Sequence, residues 1–169
     1  MLGRFWRQEN RAYRDMQLAL MFLTLNFTIP SISYFFAPDV AFGQFRALGK
    51  LLGGIDYPLT EESHLWRVLA AGNVFTLGFL CFLLQLNVVR FAPTVPVFVV
   101  LKGYSALGYL YVFLFKLPYR LFLAVFVWDA IALLLVVFLS RRALRAIAAA
   151  GPEAWKRLVP PLVFADPPA

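Results

Sequence analysis

Val97–Phe115 reads VFVVLKGYSALGYLYVFLF and Leu121–Leu139 reads LFLAVFVWDAIALLLVVFL, with only Lys116-Leu117-Pro118-Tyr119-Arg120 between them. An α-helix rises about 1.5 Å per residue, so about 20 mostly apolar residues are needed to cross a hydrocarbon layer of about 30 Å. Both runs meet that length. Five residues leave room for a tight turn, so the stretch predicts an antiparallel pair of membrane-spanning helices. Each run carries one full charge, Lys102 in the first and Asp129 in the second.

The rest of the composition agrees. Of 169 residues, 62% are hydrophobic and 15% charged. A soluble domain is about half apolar and about a quarter charged, so this surplus of apolar residues has no soluble core to enter. The formal net charge is +7. The basic residues flank the apolar runs, where orientation and anionic lipid headgroups account for them; no nucleic-acid partner is expected. One cysteine, Cys81, rules out an internal disulfide or a CxxC pair. One histidine, His64, leaves the chain unable to supply both axial ligands of a b-type haem.

Working outward, two more spans precede the pair. The four are predicted at 16–37, 66–87, 97–115 and 121–139. The segment before them, with Phe5, Trp6 and Tyr13 among Arg4, Arg7, Arg11 and Arg14, suits the headgroup level. It is read as retained, not as a cleaved signal peptide. Pro30 sits inside the first span and frees the carbonyl of Asn26, predicting a kink. Thr24, Thr28, Ser31 and Ser33 are placed to satisfy freed backbone groups. In the 38–65 connection, Phe42, Phe45, Leu48 and Leu51 recur at helical spacing with Gln44, Arg46 and Lys50 between them. That pattern predicts a short amphipathic helix lying in the interface, ended by Gly53-Gly54. Thr60-Glu61-Glu62 reads as a helix start. In the second span Arg67, Ala71, Val74, Gly78, Cys81 and Gln85 form a small-and-polar stripe, which lets helices approach closely in lipid. The 140–169 tail opens with Ser140-Arg141-Arg142 and Arg145, a stop-transfer pattern; its 151–169 part offers a short interfacial helix around Trp155 and then paired prolines, predicting an extended or partner-bound segment.

Ten basic residues lie on one side of these spans: Arg4, Arg7, Arg11, Arg14, Arg90, Arg141, Arg142, Arg145, Lys156 and Arg157. Arg46, Lys50, Arg67, Lys116 and Arg120 lie on the other. The positive-inside rule then puts both termini in the cytoplasm, with the 38–65 connection outside.

Counting from the cytoplasmic ends, Asn26 and Asp129 both fall at a depth of roughly 15 Å, Thr76 at roughly 16 Å and Asn73 at roughly 21 Å. Lys102 is shallower, at roughly 9 Å. Asn26, Asn73, Thr76 and Asp129 are therefore expected to form one midplane polar layer. An ionised Asp at a helix centre costs roughly 2.5–3.5 kcal/mol on insertion scales, so it faces the bundle and finds partners. Its layer serves as interhelical glue or as a ligand or proton site. Lys102 is a further ligand or polar-layer candidate with two readings: it pairs with Asp129, which its length allows and which would keep both charged, or it points to the cytoplasmic headgroups, the direction in which helical side chains lean toward their own N-terminus. His64, at the outer end of the second span, is a candidate single ligand for a pigment or haem. No GxSxG, no P-loop and no cluster of metal-binding side chains appears, so no catalytic or metal residue is assigned.

Tyr34-Phe35-Phe36-Ala37-Pro38, ending the first span, and Leu65-Trp66-Arg67-Val68-Leu69-Ala70, opening the second, resemble the small bacterial four-helix membrane proteins grouped as DoxX-like. The resemblance covers the first two spans. It implies a four-helix fold and allows a quinone-linked role; it carries no site residue.

The expectation is an all-α, four-helix transmembrane bundle with a short interfacial amphipathic helix between spans one and two. The expected function is that of a non-catalytic subunit packed within a larger inner-membrane complex, respiratory or photosynthetic. The alternative is a quinone-, lipid- or proton-handling membrane protein using the layer around Asp129. Expected partners are membrane lipids, including anionic headgroups, and other membrane subunits. No cofactor is predicted; a quinone or a bound lipid is the compatible ligand.

Overall fold

A computed structural model of the chain describes residues 10–53 and 64–158, the side chains of 64–66 and 152–158 excepted. Arg4, Arg7, Phe5 and Trp6, the Thr60-Glu61-Glu62 helix start and the paired prolines of the tail lie outside the described residues. Among the described residues there are helices and no strand. In chain order they are α1 (Arg11–Phe36), α2 (Pro38–Leu51), α3 (His64–Leu86), α4 (Val88–Phe91), α5 (Thr94–Phe115) and α6 (Arg120–Leu158). Four of these are long and apolar enough to cross a membrane: α1, α3 from Arg67, α5, and α6 as far as Gly151.

The register of the long helices can be read from individual bonds. Gln17 Nε2 donates to the Gln85 carbonyl at 3.3 Å, and Ser31 Oγ to the Ala71 carbonyl at 2.7 Å. One partner rises in number as the other falls, so α1 and α3 are antiparallel. Trp128 Nε1 donates to Asn26 Oδ1 at 3.2 Å, and Arg142 meets Asp15 at 3.4 Å, so α1 and α6 are antiparallel too. α5 and α6 run antiparallel through the Lys102–Asp129 pair and the Tyr109–Phe122 rings, whose centroids are 5.9 Å apart. The result is an up-down-up-down ring in which α1 packs mainly on α3 and α5 mainly on α6.

The stripe read in the second span is the face that α3 turns to α1. Ala71, Gly78, Cys81 and Gln85 are all buried. A Cβ on Gly78 would stand 2.6 Å from Thr28 Oγ1 and 3.3 Å from the Thr24 carbonyl, so only glycine admits α1 this closely. Close backbone approach is how helices gain contact where lipid is as apolar as leucine. The core running through the bundle includes Leu20, Leu23, Phe27, Leu84, Phe98 and Val136. The outward faces are apolar as well: Phe22, Ile29, Phe75, Val100, Leu107, Leu134 and Phe138 are exposed. Water would penalise so much exposed apolar surface; hydrocarbon does not.

α1 is assigned as helix straight through Pro30. The nearby hydroxyls are used differently from the expectation. Thr24 Oγ1 bonds the Leu20 carbonyl one turn back, and Ser31 reaches across to α3. At the foot of α1, Asn10 caps the helix by accepting from the Tyr13 N–H at 3.1 Å. Tyr13 is fully buried, in one core with Met16, Ala143 and Ile147. This is possible because α6 does not stop at Leu139. It continues as helix to Gly151, where φ is +79°, and Ser140, Ala143 and Ile147 pack inward on that extension. Helix resumes beyond Gly151 and is assigned through Leu158.

α2 begins with Pro38 in its first turn, where a missing N–H costs nothing, and Asp39 and Lys50 suit its two dipole ends. Gly53, at φ +70°, follows its end. Its seat is specific. The Tyr119 ring lies on Gly49 so closely that a Cβ there would overlap its Oη. Arg120 Nη1 donates to the Leu52 carbonyl at 2.9 Å, satisfying one of the last free acceptors of α2.

Candidate functional site

Among the described residues, two places stand out for polar chemistry or open space. The first is between α5 and α6. Lys102 and Ser105 are three residues apart and so share one face of α5. Opposite them on α6 is Asp129. Lys102 Nζ lies 2.5 Å from Asp129 Oδ1, and Ser105 Oγ donates to Asp129 Oδ2 at 2.9 Å. Each carboxylate oxygen thus has its own donor. The ammonium also lies 4.5 Å from the centroid of the Phe27 ring, on α1, whose π face attracts a cation. Lys102 and Asp129 side chains are only 7% and 4% exposed. Charges so placed are kept by mutual pairing and further hydrogen bonds, and both are present here.

Of the two readings of Lys102, the pairing with Asp129 is the one found, and the headgroup direction is corrected. The side chain does not run to the cytoplasmic headgroups; it is buried and paired. The lean of a helical Cβ toward its own N-terminus sets only the first bond of a four-carbon stem. The attraction of a carboxylate in a low-dielectric interior decides where the rest goes.

The expected polar layer is likewise not assembled as one group. Asn26 stands at the foreseen height, but its Oδ1 accepts from Trp128, the neighbour of Asp129. Trp128 also meets Phe22 edge-on, with centroids 6.1 Å apart. Thr76 turns away from the bundle and bonds the Gly72 carbonyl on its own helix at 2.8 Å. Asn73 is exposed, and its side chain makes no hydrogen bond among the described residues. Only Asp129 of the four lies at the cluster, joined by Lys102. Ser105, Phe27 and Trp128 complete the arrangement; of these the sequence places Ser105 on the Lys102 face without making it a site residue. Ser105 had a signal, its place on the Lys102 face; Phe27 and Trp128 had none beyond being aromatic. His64 is the first residue of α3, and its side chain lies outside the described residues. Among the described residues, no group of three or more His, Cys, Asp or Glu could hold a metal ion.

The second place is a cavity of about 480 Å³ beneath α2, at the opposite end of the bundle from the Arg142–Asp15 pair. α2 roofs it with Phe42, Phe45 and Leu48. Pro30 and Tyr34 of α1, Val74 of α3 and Tyr109 of α5 form walls, with Phe122 and Val125 from α6. Tyr34 meets Phe42 edge-on at 5.7 Å, tying the roof to α1. The cavity shares no lining residue with the ion-pair cluster. The many phenylalanines of the sequence permit such a groove without locating it.

Chemically, the cluster holds helices together with matched charges, and the cavity offers an apolar volume with tyrosine and glutamine at its margin. Comparison of the chain with protein-family models, with curated proteins and with solved structures gives no match in any of the three.

Proposed function

We propose that the chain is a non-catalytic, multi-pass subunit of a bacterial inner membrane, packed through α3 against another membrane protein. The observation that carries this reading is Asn73. Six residues past Arg67, it lies about 9 Å into the span on the helical rise, within the hydrocarbon. It faces outward with an unbonded amide, beside exposed Gly72 and Thr76. An amide left without partners in hydrocarbon costs several kcal/mol, whereas a neighbouring helix satisfies it. Gly72 has open space where a side chain would be, leaving room for that helix to come close. In this reading both termini are cytoplasmic and α2 lies at the outer interface. The DoxX-like resemblance is compatible with it and adds no residue.

The alternative reading, handling of a quinone, lipid or proton by a layer around Asp129, has less support. Both oxygens of Asp129 are engaged, and Asn73 and Thr76 face away from it.

A photo-crosslinking residue placed at position 73, activated in the native membrane, tests the subunit reading. It is expected to give a covalent adduct with a second membrane protein, and Asn73→Leu is expected to lose that protein on affinity capture while the bundle still folds. A chain that crosslinks only to lipid and runs as a monomer abandons the reading.

A further inference from the structure

We propose that Tyr13, Gln17 and Ser140 together bind one internal water, which bridges α1 and α6 at the end of the bundle that carries the Arg142–Asp15 pair. The site goes beyond the subunit reading and does not depend on it.

Tyr13 and Gln17 are four residues apart and so share one face of α1. The register that sets Arg142 against Asp15 and Trp128 against Asn26 puts Ser140 of α6 level with Gln17. The three side chains therefore start within about one helical turn of each other. All face inward, exposed by 0%, 2% and 1% in that order. Tyr13 Oη, Gln17 Oε1 and Ser140 Oγ have no hydrogen-bond partner among the described residues. Buried polar groups are almost always bonded, to protein or to internal water. Three that lie at one level on two facing helices, and do not bond one another, point to a shared partner.

The chemistry of the three selects that partner. Gln17 Nε2 donates to the Gln85 carbonyl, which can only accept, so the amide cannot be turned round and its oxygen faces the gap. The ligand must suit an acceptor, which excludes an anion. A metal cation suits neutral oxygens, but this end carries Arg14, Arg90, Arg141 and Arg145. Asp15, its acid among the described residues, already meets Arg11 and Arg142. Water is neutral, and its two donors and two acceptors match the set. It donates to Gln17 Oε1 and Ser140 Oγ and accepts from the Tyr13 hydroxyl. Ser140 also opens the Ser140-Arg141-Arg142 run at which the apolar stretch ends, so water is at hand there. One turn further in, Leu20 and Val136 are buried and set the site apart from Lys102 and Asp129.

The test uses Tyr13→Phe and Ser140→Ala in the full chain, in detergent; each deletes one hydroxyl and changes little else. Deleting a hydroxyl that has no partner relieves a cost and raises stability. Deleting one that holds a shared water is expected instead to raise the unfolding equilibrium constant about fivefold in a denaturation titration. The double variant is expected to lose less than the two effects multiplied, although no bond joins the two side chains directly. Nuclear Overhauser transfer from water to the Gln17 side-chain amide protons, identified by their loss in Gln17→Leu, is expected in the natural chain and reduced in the double variant. Greater stability of either single variant, effects that simply multiply, or no transfer from water to Gln17 overturns the proposal. Stability that rises with sodium or potassium at constant ionic strength overturns water in favour of a cation. Should either variant fail to fold, the transfer in the natural chain decides.

Discussion

Lys102 shows what one buried charge demands of its surroundings. Its ammonium has a carboxylate on one side and the Phe27 ring on another, and the carboxylate has Ser105 on its second oxygen. Removing one partner leaves the other as an uncompensated buried charge, an effect of about 3–5 kcal/mol in proteins generally. Lys102→Met and Asp129→Asn are each expected to lower stability by that order in a detergent-denaturation titration. The double substitution is expected to be less damaging than the two losses added, since it removes both charges together. Strict additivity would mean that the pair is not coupled and that each charge is held by something else. The sequence placed both residues at workable depths but not their rotation about each helix. Counting residues gives height; successive residues differ by about 100° in direction. Asn26 illustrates the same limit. It was matched in height with Asp129 and meets Trp128, one residue away and pointing elsewhere.

Among the elements, α3 was the most legible. Its alternation of small and polar residues at steps of four and three is a geometric pattern, so it fixes a face as well as a height. That face is the one buried against α1, with Gly78 at the closest approach. Gly78→Leu is therefore expected to destabilise the bundle by about 1–3 kcal/mol, the usual range for overpacking. Gly108→Leu on α5 is the control, because nothing lies within 4 Å of a Cβ there. A titration in which the two variants behave alike would mean that α1 and α3 are not packed at Gly78. The element least legible was the end of α6. Ser140-Arg141-Arg142 reads as the end of a span, and in hydropathy it is one. The helix nevertheless continues, because Ser140, Ala143 and Ile147 recur at helical spacing and bury beside Tyr13. A polar stop signal marks where lipid ends, not where hydrogen bonding does.

For the molecule as a whole, four long apolar helices were readable because lipid leaves the backbone few choices: every N–H and C=O must be satisfied within the segment. The bend of the chain into α2 was readable in outline, since amphipathic spacing and Gly53 mark it, but its seat was not. Tyr119 on Gly49 is a contact between residues far apart in sequence, with no local signal on either side. The orientation proposed for the chain rests on the basic residues alone, and two exposed positions at opposite ends test it. Gln44 is exposed on α2, and Arg142 is exposed on the extension of α6. In a Cys81→Ala background, Gln44→Cys is expected to react with a membrane-impermeant maleimide in intact spheroplasts. Arg142→Cys is expected to react only after permeabilisation. Cys81 is fully buried, so the natural chain is expected to stay unlabelled until it is denatured. If Arg142→Cys labels from outside and Gln44→Cys does not, the chain is inserted the other way round.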